Sequence, residues 1–289
     1  MSARRLWRWL AALLGAGLVA FAGHALWQLH SYGFLRLPSY EREPPPLPPL
    51  KKSWAVLVFS KTNAFIHREA IPAAEALFRS LGEEGGFDVY VTDNGASHTP
   101  EFLRHFAAVV WNNVTGNVLL PEQQRAFRAW LEGGGGFLGL HGAGDSSSDW
   151  DWYIDQVIGA RFIGHPFDPQ FQTATLRVAQ PPDPIVDHLP AAWVRLDEWY
   201  SFAESPRRRG KQVLVTLDER TYRPVDHFGR DLRMGSDHPV IWKGCVGRGR
   251  VFYSALGHTA ESYAEPEYAA LLAKALRWAA RRDGEGCDG

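Results

Sequence analysis

The chain has 289 residues, 45% of them hydrophobic, with twelve Trp and a formal net charge of −1, so there is material for one large core or two small ones. Residues 1–52 hold seven Lys/Arg and two Asp/Glu, which leaves 24 basic against 30 acidic residues, a net of −6, from residue 53 onward. A mildly acidic domain suits phosphate backbones poorly, which argues against nucleic-acid binding. Two cysteines, Cys245 and Cys287, make neither a disulfide framework nor a CxxC metal motif; they either pair in an oxidising compartment or leave a loose thiol in the tail.

In chain order, Arg4, Arg5 and Arg8 precede Leu10–Leu29, a stretch interrupted by His24 and Gln28. About 20 apolar residues span a bilayer, and early arginines predict a cytoplasmic N-terminus with the domain on the extracytoplasmic side. Residues 1–30 therefore read as a signal-anchor that forms a transmembrane helix. Ala20-Phe21-Ala22 also fits a cleavage site, so a secreted or periplasmic protein is the alternative. The apolar run continues through Ala25, Leu26 and Trp27, which favours the anchor. Residues 31–52 carry Glu43-Pro-Pro-Pro-Leu-Pro-Pro-Leu-Lys, a stiff, extended Pro-rich linker.

Residues 53–281 alternate strand and helix. Trp54–Phe59, Phe87–Val91, Ala107–Trp111 and Gly136–Leu140 are short apolar strands; the continuous runs among them fit burial on both faces. Ile71, Ala74, Phe78 and Leu81 recur at helical spacing, with Gly82 as the stop. Pro121 opens a helix buried through Phe127, Trp130 and Leu131, and Gly133 ends it. Gln172–Val178, Lys211–Leu217 and Arg250–Ser254 are later strands, before a helix with Tyr268, Leu271, Leu272, Ala275 and Ala279 on one face. The alternation predicts one α/β domain, a doubly wound parallel sheet of flavodoxin-like type. Residues 160–245 extend that sheet or cap its ligand side, and 282–289 form a flexible tail.

Ligands of such sheets bind beyond the carboxyl ends of the strands. The four loops there run from Ser60 to Glu69, from Asn112 to Gly116, from His141 to Ser146 and from Gly257 to Glu261. Three offer a histidine near the strand end: His67, His141 and His258. Each has a plainer interpretation. His67 alone is a helix cap, Gly164-His165-Pro166 a turn, Asp197-Glu198-Trp199-Tyr200 an edge strand with exposed acids, and Arg207-Arg208-Arg209 a solvated turn. Asp237-His238-Pro239 is loop chemistry or a strand start. Gly139-Leu-His141-Gly-Ala-Gly144 lacks the P-loop ending but has the shape of a nucleophile elbow, with His where Ser would stand.

Together the Lys61-Thr62…Phe65…His67 loop, that His141 turn, Gly164-His165-Pro166, Asp197-Glu198-Trp-Tyr200, Pro239-Val-Ile-Trp242 and Gly249-Arg250-Val-Phe-Tyr…Gly257-His258-Thr259 resemble the ThuA-like family, named for trehalose utilisation, of the class I glutamine amidotransferase-like superfamily. The resemblance covers roughly Trp54 to Ala280. It implies a flavodoxin-like fold, and it puts His141 where amidotransferases keep a catalytic Cys and His258 at their later His. Glu261 is displaced from the usual His-x-Glu arrangement. Without an elbow thiol, glutamine hydrolysis through a thioester is not available. The family name points to carbohydrates, including disaccharides and keto sugars.

Two functions follow. One is an enzyme on a carbohydrate or keto-sugar derivative, with His67, His141, His258 and Asp145 as acid/base residues and Lys61, Asn112, His165, Glu198, Tyr200 and Trp242 in substrate binding. It requires no cofactor, although three histidines and an acid would also suit a divalent metal. The other is a non-catalytic sugar- or protein-binding domain on a membrane tether. Convergence of the three histidines in one pocket separates the two.

Overall fold

A computed structural model describes residues 3–287. The first described element is helix α1 (Ala3–Ser31). Its segment Trp7–Ser31 is long and apolar enough to cross a membrane, and the apolar stretch is not buried against the domain. Then follow β1 (Ala55–Phe59), α2 (Ala70–Gly85), β2 (Asp88–Thr92), the single turn α3 (Pro100–Leu103), β3 (Ala108–Asn112), α4 (Pro121–Glu132) and β4 (Gly136–Leu140). The rest is β5 (Phe162–Gly164), β6 (Phe171–Val178), β7 (Ala192–Glu198), β8 (Ser201–Phe202), β9 (Gln212–Leu217), β10 (Pro239–Val246), β11 (Gly249–Ser254), α5 (Ala260–Ala264) and α6 (Pro266–Ala279).

Nine strands form one sheet in the order β2-β1-β3-β4-β11-β10-β9-β6-β7, and β5 pairs with β8 apart from it. The first five run parallel. Of these, β1, β3, β4 and β11 are buried throughout, as strands covered on both faces must be. From β11 outward every neighbour is antiparallel. The fully parallel sheet expected from the sequence is thus corrected to a mixed one, parallel-dominated where the strand–helix rhythm is strict. The cause is local: only Gly247 and Arg248 separate β10 from β11. A connection that short reverses the chain, whereas a parallel return takes a dozen residues or more. Strands β6 and β7 accordingly alternate exposed and buried residues along most of their length.

Helix α2 does not stop at Gly82. It runs to Gly85, and Gly86 in the left-handed region (φ +68°) ends it. A Cβ on Gly82 would lie 2.6 Å from Val89 Cγ2, so this glycine serves helix-to-sheet approach rather than termination.

The Pro-rich stretch expected to stand free as a spacer instead lies along the domain. Glu41 accepts from Lys61 Nζ at 2.7 Å and from the Gly95 amide at 2.8 Å. Asn63 exchanges hydrogen bonds with the Ser39 backbone, Tyr90 donates to the Pro46 carbonyl, and the Lys51 and Lys52 amides donate to Asp88. Extended chain leaves its carbonyls and amides unpaired, so a polar surface at strand ends can take them up. The C-terminal tail is likewise tied down through its last described residue: Cys245 and Cys287 form a disulfide, and Arg250 donates to the Asp283, Gly284 and Gly286 carbonyls.

Candidate active site

The three strand-end loops bring their histidines together. Ring centroids lie 4.8 Å apart for His67 and His141, 4.6 Å for His67 and His258, and 4.9 Å for His141 and His258. His141 stands directly after β4 with φ +42°, a left-handed conformation that a non-glycine residue holds only where its surroundings impose it. Gly142 and Gly144 make the sharp turn possible. A Cβ on Gly144 would lie 2.1 Å from the Tyr253 hydroxyl, and one on Gly142 would lie 3.0 Å from His67 Cε1.

The centre of the cluster is Glu198, from the far edge of the sheet at the end of β7. Its Oε2 lies 3.3 Å from His141 Nε2 and 3.1 Å from His258 Nδ1, and those two nitrogens are 3.0 Å apart. Its Oε1 takes His165 Nδ1 at 3.0 Å and the Gln170 amide at 2.5 Å. His141 Nδ1 sits 2.8 Å from the Ala255 carbonyl, so Nδ1 carries a proton and Nε2 faces the carboxylate. Asp197 accepts from the Gly257 and His258 amides and from Arg195, which fixes the loop that presents His258.

The electrostatics follow from burial and neighbours. Burial opposes charge on Glu198, but the hydrogen bonds and charges of His141 and His258 outweigh it and hold the carboxyl well below the usual range. Burial pulls His141 down, yet its hydrogen bond to Glu198 and the charges of Glu198 and Asp197 leave it raised. For His67, burial and then the charges of His141 and His258 outweigh the opposing charge of Glu198 and push it well below the ordinary imidazole value. Its Nδ1 is buried without a hydrogen-bond partner. The cluster therefore pairs an imidazole that favours its proton with one that favours losing it, as acid and base do.

A cavity of about 560 Å³ opens above the cluster, lined among others by His67, Asp145, His165, Glu198, Tyr200 and His258. Asp145 keeps surface exposed to solvent at this cavity, while its carboxyl is packed among protein atoms. Burial, opposed by His141 and helped by Glu198, pushes its carboxyl up to about 7. Tyr200 packs on His141 with centroids 4.2 Å apart. One nitrogen from each of His67, His141 and His258 lies within 4.8 Å of the others, so these three are the residues that could hold a cation.

Three residues expected to bind substrate lie elsewhere. Lys61 is buried against Glu41 of the Pro-rich stretch that lies along the domain. Asn112 is spent on Ser60 and the Ile71 carbonyl beneath the cavity. Trp242 is a core residue whose indole donates to the Ile158 carbonyl. The acids of the β7 edge, expected to be exposed, are buried, and Glu261, on the solvent side of α5, is replaced by Glu198 as the carboxylate beside His258. Sequence reasoning missed Gln170, Phe171 and two residues that also line the cavity, Tyr32 and Phe34. Tyr32 stacks on Phe65 at 5.5 Å with rings 7° apart, and its carbonyl accepts from the Ile66 amide.

Among known structures, a ThuA-like protein from Bacteroides uniformis ATCC 8492 matches 82% of this chain and 95% of its own at 23% identity and a TM-score of 0.67. Another, from Parabacteroides merdae ATCC 43184, matches 79% and 90% at 19% identity and a TM-score of 0.60. Both show the same fold. No curated protein sequence matches. The family profile ThuA, described as trehalose utilisation, matches residues 55–279, which takes in the whole sheet and every histidine of the cluster: the chain belongs to the ThuA family.

Proposed function

We propose that this ThuA-family protein is a membrane-anchored enzyme that acts on a carbohydrate or keto-sugar derivative by histidine acid/base chemistry, with its domain on the extracytoplasmic side. The observation that carries the proposal is the meeting of His67, His141 and His258 around Glu198 at the floor of one cavity. Proton transfer by positioned groups of this kind contributes about 10²–10⁴-fold. Asp145, His165 and Tyr200 line the same cavity, with hydroxyl- and carbonyl-binding groups beside apolar surface, as a sugar requires. A glutaminase reaction has no thiol available, since His141 stands at the elbow and both cysteines are joined to each other. The disulfide and the arginines in the first turns of α1 support the extracytoplasmic side. A divalent cation on the three histidines is the second reading, favoured by their ligand atoms lying within 4.8 Å of one another; metal analysis of the purified full chain tests it.

The main test is a screen of the full chain against disaccharides and keto sugars, with and without His141→Ala. Turnover that vanishes in the variant while fold and ligand affinity persist supports the enzyme. Turnover that persists refutes the assignment, and ligand binding without turnover in the native chain favours a tethered binding domain.

A further inference from the structure

The membrane helix and the candidate active site meet. The apolar segment ends at Ser31, and the next residue, Tyr32, is already a wall of the cavity, with Phe34 beside it. Gly33 between them (φ +90°) is pressed so closely on the His67 loop that a Cβ would lie 2.2 Å from the Ala64 carbonyl oxygen. Arg68, adjacent to His67, places its guanidinium 5.7 Å from the rings of both Trp27 and Tyr32 and donates to the Ser31 hydroxyl. At about 1.5 Å per residue, Leu10–Leu29 alone covers the hydrocarbon thickness of about 30 Å. Trp27 then falls at the end of the span and Tyr32 at head-group level, where such side chains gather. The cavity is therefore held at the membrane surface, not at the end of a spacer.

Its mouth is apolar. Phe34 is 64% exposed and Phe167 is 55% exposed, and both line the cavity together with Phe171. Leu37 (91% exposed) follows Phe34 closely in the chain, and Phe228 (92% exposed) continues from Phe167 through the ring of His227. Isolated exposed apolar residues are ordinary, but aromatic ones gathered around a polar pocket mark an interaction site. The floor of this pocket is charged and its rim is hydrocarbon-like, an arrangement that matches a molecule with a polar head and an apolar tail.

We infer that the substrate is a glycosylated lipid taken from the bilayer, its sugar seated over the histidines and its chain leaving between Phe34, Phe167 and Phe171. This rests on the anchor and sugar assignments proposed above. The test uses the full chain in phosphatidylcholine nanodiscs. A nitroxide on Phe228→Cys reports depth; the native cysteines are paired and do not compete for the label. Stronger relaxation by oxygen than by a water-soluble nickel chelate is expected, and an aqueous signal overturns the inference. Monoglucosyl and monogalactosyl diacylglycerol are then compared with their methyl glycosides through the imidazole resonances of His141 and His258. At least tenfold tighter binding of the lipids is expected, with the preference reduced to less than twofold in the double variant Phe34→Ala/Phe167→Ala. Equal binding of lipid and methyl glycosides, or binding of neither, overturns the inference. Diacylglycerol without a sugar binding as well as its glycosides would sustain entry from the bilayer and sink the carbohydrate assignment instead.

Discussion

The two halves of the sheet contribute differently to the site. The parallel half, β2 to β11, supplies His67, His141 and His258 from loops at its strand ends, two of the imidazoles buried and the third half-buried. The antiparallel half supplies Glu198 at the end of β7, followed by Tyr200, and it is Glu198 that raises His141 and draws His258 into line. The parallel half places the histidines, while the antiparallel half supplies the carboxylate they share. On the proposed reading, residues at strand ends become an acid/base set only when a strand from elsewhere completes them.

That contrast can be broken in order of effect. His141→Ala removes the pivot of the parallel half and is expected to lower turnover about 10³-fold, read in a steady-state assay on whichever sugar derivative the screen identifies, with ligand affinity nearly kept. Glu198→Gln severs the two halves while preserving shape. Turnover falls about 10²-fold, and the His141 titration, followed by NMR, moves down, because burial now acts without the opposing carboxylate; a titration that does not move would show that the halves are not coupled. Asp145 sharpens the contrast, since it belongs to the parallel half yet carries a carboxyl near 7. As an acid it is protonated below that value and spent above it, so the rate falls as pH rises through about 7. Asp145→Asn should erase that limb and reduce the best rate about tenfold; survival of the limb assigns it to another group. The smallest effect lies outside both halves. Glu41→Gln keeps a partner for Lys61 but not its charge, at a cost of about 1 kcal/mol in the urea midpoint and less than twofold in activity.

Much of the parallel half was legible because its causes are local. Runs such as Ala55–Phe59 and Gly136–Leu140 are apolar throughout since both faces are covered, and the strand-end rule then selects the histidine loops. Glu198 was legible only as a motif. In an alternating edge strand an acidic pair looks solvent-facing, and only the long-range arrival of β7 beside His258 explains its burial. Lys61 looked like a ligand-binding lysine because its partner, Glu41, lies in a stretch whose composition says spacer. Trp242 looked functional for want of knowing that Ile158 would accept its indole proton. Tyr32 and Phe34 carried no signal at all, since nothing in a juxtamembrane sequence says which way it folds back.

The strap from Tyr32 to Lys52 has a consequence for how such a protein can be rearranged. Composition places a boundary at Ser53, and a shortened chain starting there would keep the sheet and every histidine of the cluster. It would nevertheless lose a wall of its cavity, expose the aromatic face of Phe65, and leave the buried ammonium of Lys61 without its counter-charge. The N-terminal helix and the domain are therefore not interchangeable cassettes. A gene fusion or transplanted leader that replaces the first fifty residues exchanges part of the cavity wall along with the apolar helix.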